Sequence, residues 1–256
     1  MRRTILAVLT AIAFIAPFTI PGFAMAASCA QAQYVAVQQD ASHQQEFLNR
    51  DAFNGGTNCI TNHGGTDNFV TSGVQLIGTG WVRAYPNLMV GCNLPSNGFY
   101  GACTARSGLP RRVVNIPHAT VAWYTSHTGV IGHWNTGIDV WTSNYRAFNG
   151  PSCEIMVWLN ERNVPPPASA VHVVVAGKSY LRWTRPAAHW TEIIYLRQPQ
   201  TTGVASLALG AILGNAAAMH VPGVGPNTFV QQIAGGFEMW RNGNGLRVSE
   251  FRVSGA

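Results

Sequence analysis

The chain has one lysine, Lys178, and Asp, Glu, Lys and Arg together make up only 10% of its 256 residues. Its basic residues are scattered, with Arg111-Arg112 the only adjacent pair after the N-terminal segment. That argues against a nucleic-acid footprint, which would cluster. Its five cysteines show no Cys-x-x-Cys spacing and its eight histidines show no His-Glu-x-x-His spacing, so no metal site is expected. No internal repeat, low-complexity linker or second cysteine-framed module interrupts the sequence. The one long apolar run is N-terminal. Arg2 and Arg3 precede an apolar stretch over residues 5–15, and Ala24-Met25-Ala26 is a small-residue cleavage site, so residues 1–26 read as a signal peptide. Pro17 and Pro21 cut the run short of the roughly 20 residues a membrane span needs. The remaining segment, 27–256, has the length of one β domain. Without Arg2 and Arg3 it carries 14 basic and 10 acidic side chains, a net +4. Its surface must then rely on Asn, Gln, Ser, Thr and Gly, which suits a secreted protein handling a neutral polar polymer.

What is present is a succession of short Val-, Ile-, Thr- and aromatic-rich runs between Gly, Asn and Pro turns, the pattern of an all-β sandwich. Strands are expected at 34–37, 68–76, 118–124, 136–142, 153–159, 170–175, 180–184, 192–196, 230–239 and 246–253. The Ala- and Leu-rich segment 204–219 is expected to form a single helix on the outside of a sheet. Cys92 and Cys103 bracket a Gly/Pro/Asn-rich loop that a disulfide would close, and Cys29 can reach Cys59. Cys153 is then left as a buried free thiol, although sequence alone leaves the pairing open.

Three of the ten carboxylates lie in alternating runs beside a tryptophan. In 137–141 Asp139 and Trp141 share a face, in 153–159 Glu154, Met156 and Trp158 do, and in 236–240 Glu238 goes with Trp240. The two-residue side-chain period of a strand dictates this. The opposite faces, Ile138/Val140, Cys153/Ile155/Val157/Leu159 and Phe237/Met239, are apolar and belong in a core between two sheets. If the strands share a sheet, Asp139, Glu154 and Glu238 converge on an outward surface floored with indoles. Aromatic faces suit the C–H side of a sugar ring, and paired carboxylates supply acid/base chemistry.

The strings Tyr85-Pro86…Gly91-Cys92…Cys103, Trp134-Asn135-Thr136-Gly137-Ile138-Asp139-Val140-Trp141, Glu154-Ile155-Met156-Val157-Trp158 and Gly236-Phe237-Glu238-x-Trp240 occur in this order. Together they resemble glycoside hydrolase family 12, over most of the chain from Cys59 onward. The resemblance implies a β-jelly roll of two curved antiparallel sheets with one helix on the convex side. It implies a secreted, extracellular, monomeric, retaining endo-β-1,4-glucanase, with Glu154 as nucleophile and Glu238 as general acid/base. Asp139 and Met156 would support the nucleophile, and Trp134, Asn135, Trp141, Trp158 and Trp240 would contact the β-glucan. It implies disulfides Cys29–Cys59 and Cys92–Cys103, no cofactor and no catalytic metal. One departure is the absence of any Trp before Trp81: the family's distal-subsite segment corresponds either to Gln38-Gln39 or to the stretch from Asn49 to Phe53, and either Phe53 replaces the missing indole or that subsite is weak. The rival readings are a non-catalytic glucan-binding jelly roll and a xylanase of the related family 11.

Overall fold

The computed structural model describes residues 34–39, 45–49, 57–61, 68–75, 80, 82–92, 103–147, 150–187 and 189–256. The N-terminal segment 1–26, Cys29, Phe53 and Trp81 lie outside the described residues. In chain order the first strands are β1 (Tyr34–Gln39), β2 (Gln45–Asn49), β3 (Thr57–Thr61), β4 (Phe69–Gln75), β5 (Asn87–Gly91), β6 (Arg111–Arg112), β7 (Thr120–Ser126) and β8 (Gly132–Ser143). They are followed by β9 (Cys153–Arg162), β10 (Val171–Val175), β11 (Lys178–Pro186), β12 (Thr191–Gln198), β13 (Gly203–Leu207), helix α1 (Leu209–Ala217), β14 (Phe229–Gly236), β15 (Met239–Asn242) and β16 (Arg247–Ser254).

Two sheets stack as a β-jelly roll. The larger has eleven strands in the order β1-β2-β5-β14-β8-β9-β12-β11-β10, with β15 paired to β8 and β6 to β14. The smaller runs β13-β7-β16-β4-β3. Pairing is antiparallel except between β9 and β12, which run parallel. Alternation decides what fills the space between them. Ile138, Val140, Ile155, Val157, Leu159, Ile193 and Ile233 of the large sheet meet Phe69, Val121, Trp123, Phe251 and Val253 of the small one, all buried. Trp123 packs edge-on to Phe251 at 5.8 Å, and Phe237 lies 5.8 Å from Phe69 and 6.2 Å from Trp123. Such aromatic pairs contribute about 0.5–1.5 kcal/mol each beyond area burial.

All ten expected strands are present, with shifted ends, and two expectations need correction. The helix is shorter than 204–219, because Gly203–Leu207 pairs with β7 as a strand. The helix keeps Leu209, Ile212, Leu213 and Ala216 on one stripe against the core. Asn215 on α1 bonds Tyr195 at 2.8 Å and Arg182 at 3.0 Å, on the large-sheet face opposite the carboxylates. The run 230–239 breaks after Gly236, so Glu238 sits in a two-residue kink between β14 and β15. A Cβ on Gly236 would come 2.4 Å from the Pro86 carbonyl oxygen, so only glycine fits at that bend.

Cys92 and Cys103 form a disulfide. Cys59 is also disulfide-bonded, and its expected partner is outside the described residues. Cys153 is a buried free thiol whose pKa burial pushes up to about 12, which keeps it unreactive.

Candidate active site

Register across the large sheet builds the site in rows. One row on the face away from the core reads Gln232, Trp141, Glu154, Glu192, Arg185, each directly opposite the next. The next row reads Ala234, Asp139, Met156, Ile194, Trp183, and the third Gly236, Gly137, Trp158, Leu196, Leu181. The period of two therefore puts Glu154 and Asp139 on one face of neighbouring strands. Glu238 joins them through the kink, where Phe237 turns into the core and Glu238 turns away from it.

The carboxylates are less open than expected. Asp139, Glu154, Glu192 and Glu238 are 4%, 8%, 8% and 6% exposed, because indoles and long side chains fold over them. Each is held by a named donor. Trp141 Nε1 donates to Asp139 Oδ2 at 2.7 Å. Trp190 Nε1 donates to Glu154 Oε2 at 3.0 Å. Asn135 Nδ2 donates to Glu238 Oε2, the Asn135 backbone N–H donates to the Glu238 carbonyl at 3.0 Å, and the Glu238 N–H reaches Asn135 Oδ1 at 3.4 Å. Arg185 pairs with Glu192.

Four buried carboxyl groups on one face cannot all ionise cheaply. Burial first, then the charges of Asp139, Glu192 and Glu238, hold the Glu154 carboxyl well above the usual range, while the Trp190 N–H works the other way. Burial likewise pushes Glu238 up to about 7, opposed by the Asn135 hydrogen bond and the Arg185 charge and aided by Glu192. Below neutrality the site therefore retains a proton on Glu238. The Glu238 charge thus acts on Glu154, 84 residues away in the chain. A buried acid whose pKa lies near 7, beside a second carboxylate, is what acid/base hydrolysis of an acetal requires. Among the described residues no group of three or more His, Cys, Asp or Glu side chains is arranged to hold a metal ion.

The structure brings Glu154, Glu238, Asp139, Met156 and Asn135 to one face, with Trp141 and Trp240 part-exposed beside them. One tryptophan falls elsewhere than expected, and another is on the expected face but covered. Trp134 is 1% exposed and packs in the intersheet core, its ring 4.9 Å from His127. It is out of phase with Asn135, Asp139 and Trp141 on β8, so the alternation that found the others already assigns it to the core face. Trp158 is on the site face but only 2% exposed, wedged edge-on between Trp183 at 5.3 Å and Trp240 at 6.4 Å. It supports the rings above it rather than offering its own face. A Cβ on Gly137 would lie 3.1 Å from Trp158, so the glycine makes room for that indole. Glu192, Arg185 and Trp190 escape sequence reading, since cross-strand pairing and a loop bring them in.

No protein-family model matches the chain, and no curated protein matches it. Solved structures do. A metagenome-derived glycoside hydrolase family 12 endoglucanase is 30% identical, with a TM-score of 0.76 over 90% of this chain and 96% of that one. An endoglucanase from Rhodothermus marinus is 29% identical, with a TM-score of 0.76 over 90% of this chain and 98% of that one. A family 12 xyloglucanase from Bacillus licheniformis shares the fold at 20% identity, with a TM-score of 0.74 over 90% of this chain and 99% of that one.

Proposed function

The chain belongs to glycoside hydrolase family 12 and is a cellulase-type enzyme acting on β-glucan polysaccharide, and from that premise we propose that it cleaves internal β-1,4-glucosidic bonds with retention of configuration. Glu154 is the nucleophile and Glu238 the general acid/base. In the first step a Glu154 oxygen bonds to the anomeric carbon as the glycosidic bond breaks. The Glu238 proton passes to the departing oxygen. In the second step Glu238, now ionised, takes a proton from water, whose oxygen displaces the Glu154 carboxylate.

The observation that supports this reading best is the shared face of Glu154 and Glu238, with the Glu238 charge acting on Glu154. Asn135 fixes the acid by three contacts, and the proton that Glu238 keeps near neutrality is the one the leaving group needs. Trp141 and Trp240 line the sugar platform, and Asp139 and Met156 sit opposite each other beside the nucleophile. The enzyme acts outside the cell as a monomer, after removal of residues 1–26. The Cys92–Cys103 bond accords with that, since disulfides persist in oxidising compartments.

The test is reducing-sugar release from carboxymethylcellulose, mixed-linkage glucan, xyloglucan and xylan, with the first-formed anomer read by NMR. Release from the glucans as the β-anomer, none from xylan, and loss of turnover in Glu154→Gln are expected. The α-anomer first, or normal turnover in Glu154→Gln, overturns the mechanism. Mature protein from the culture medium should begin at Ala27.

A further inference from the structure

Trp190 lies outside every strand, in the connection between β11 and β12, and takes no part in the hydrolysis described above. Its indole N–H nevertheless reaches Glu154 Oε2 at 3.0 Å. Its ring meets Trp141 at a centroid distance of 5.1 Å and an interplanar angle of 69°, an edge-to-face contact. Trp141 in turn donates its own indole N–H to Asp139 Oδ2 at 2.7 Å. Two indoles in edge-to-face contact thus carry one N–H each to two adjacent carboxylates. Neither donor can be a chance surface contact, for Glu154 and Asp139 are 8% and 4% exposed.

We propose that Trp190 is a positioning residue for the nucleophile, braced by Trp141, whose N–H aims one Glu154 oxygen and favours its ionised form. The inference rests on Glu154 being the nucleophile. The groups that face Glu154 explain why such a donor matters. Asp139 on β8, Glu192 on β12 and Glu238 in the β14–β15 kink all disfavour its ionisation, as does burial. The Arg185 guanidinium on β11 is engaged by Glu192. The Trp190 N–H is the group in direct contact with Glu154 that opposes them. A carboxylate with one oxygen held by an indole presents the other to the anomeric carbon.

Trp190→Phe removes the N–H and keeps an aromatic ring against Trp141. The measurement is the pH profile of kcat/KM on an aryl β-cellobioside with a good leaving group, whose departure needs little acid assistance, so that the acidic limb follows the nucleophile alone. The acidic limb should move up by about one pH unit, the size expected for one hydrogen bond to a charged group. At pH values below the limb this is about a tenfold loss, and above it the rate should return to within a few-fold of the parent. Trp190→Leu, which removes ring and donor together, should show the same limb shift. An unmoved limb with a raised KM would make Trp190 a sugar contact and overturn the proposal. A loss uniform across pH, with a lowered unfolding midpoint, would make it purely structural and overturn it too. Glu154→Gln, run alongside, separates the two levels: if it keeps turnover, the nucleophile assignment fails. If it is inactive and the Trp190→Phe limb stays put, only the positioning role fails.

Discussion

Glu192 on β12 stands directly beside Glu154 on β9, in register across the one parallel strand pair of the described sheets. Two carboxylates side by side on one face would repel, and Arg185, directly opposite Glu192 on β11, offsets this by pairing with it. The row sets the charge that the nucleophile experiences without placing Glu192 in the chemistry.

Glu192→Gln removes a like charge that raises Glu154, so the acidic limb of kcat/KM should move to lower pH with little change in the plateau. Arg185→Gln removes the charge that lowers Glu238, so the alkaline limb should move up. The Arg185→Gln shift should stay below about one unit, because the Arg185 side chain is 46% exposed and its field is screened. Limbs moving the other way would show that the pair does not act through charge.

Asp139 differs from Glu192 in being gripped by Trp141. Asp139→Asn should lower kcat by about 10²-fold, the low end for a supporting acid/base group. Its acidic limb should also fall, because the largest charge effect on Glu154 comes from Asp139. Steady-state kinetics across pH separate the two effects, and a fall in kcat no larger than that of Glu192→Gln would reduce Asp139 to a source of charge.

Much of this site was legible because strand alternation is a local property. Glu154, Met156 and Trp158 share a face by spacing alone, and so do Asp139 and Trp141. Glu192 was passed over because no tryptophan shares its face on β12, where Ile194 and Leu196 follow it. Its importance comes from a parallel pairing between strands that the intervening β10 and β11 separate in sequence, and no local pattern encodes that. Trp190 lies in a loop, where no period applies. The helix is shorter than its composition suggests because 204–207, Val-Ala-Ser-Leu, suits either state, and pairing with β7 decides it. The kink at Phe237-Glu238 is hidden in the sequence because alternation is unbroken on both sides of it.

Stability should carry the imprint of Glu238. A carboxyl raised from about 4.3 in the unfolded chain to about 7 in the fold binds more protons when folded, between those two values. Stability must then fall as pH rises through that window and level off above it. Glu238→Gln keeps an oxygen for the Asn135 amide and abolishes the titration. Its unfolding free energy should match the parent near pH 4 and exceed it by about 2–4 kcal/mol above pH 8. Denaturant unfolding at the two pH values reads this, and a parent that gains stability between them would contradict it.

The core and the site meet at Phe237. Its ring is fully buried between Phe69 and Trp123, and the next residue is Glu238. The kink sends one side chain into the core and the other to the site, so the packing of the first fixes the direction of the second. Phe237→Ala should cost about 3–5 kcal/mol, transfer and cavity together. The gentler Phe237→Leu keeps most of the apolar volume, so it should stay folded. If the ring aims Glu238, this variant should lose kcat on natural glucans, which need a proton donor, and keep its rate on an aryl glycoside with a good leaving group, which does not. Equal losses on both substrates would mean that the three contacts from Asn135 hold the acid unaided.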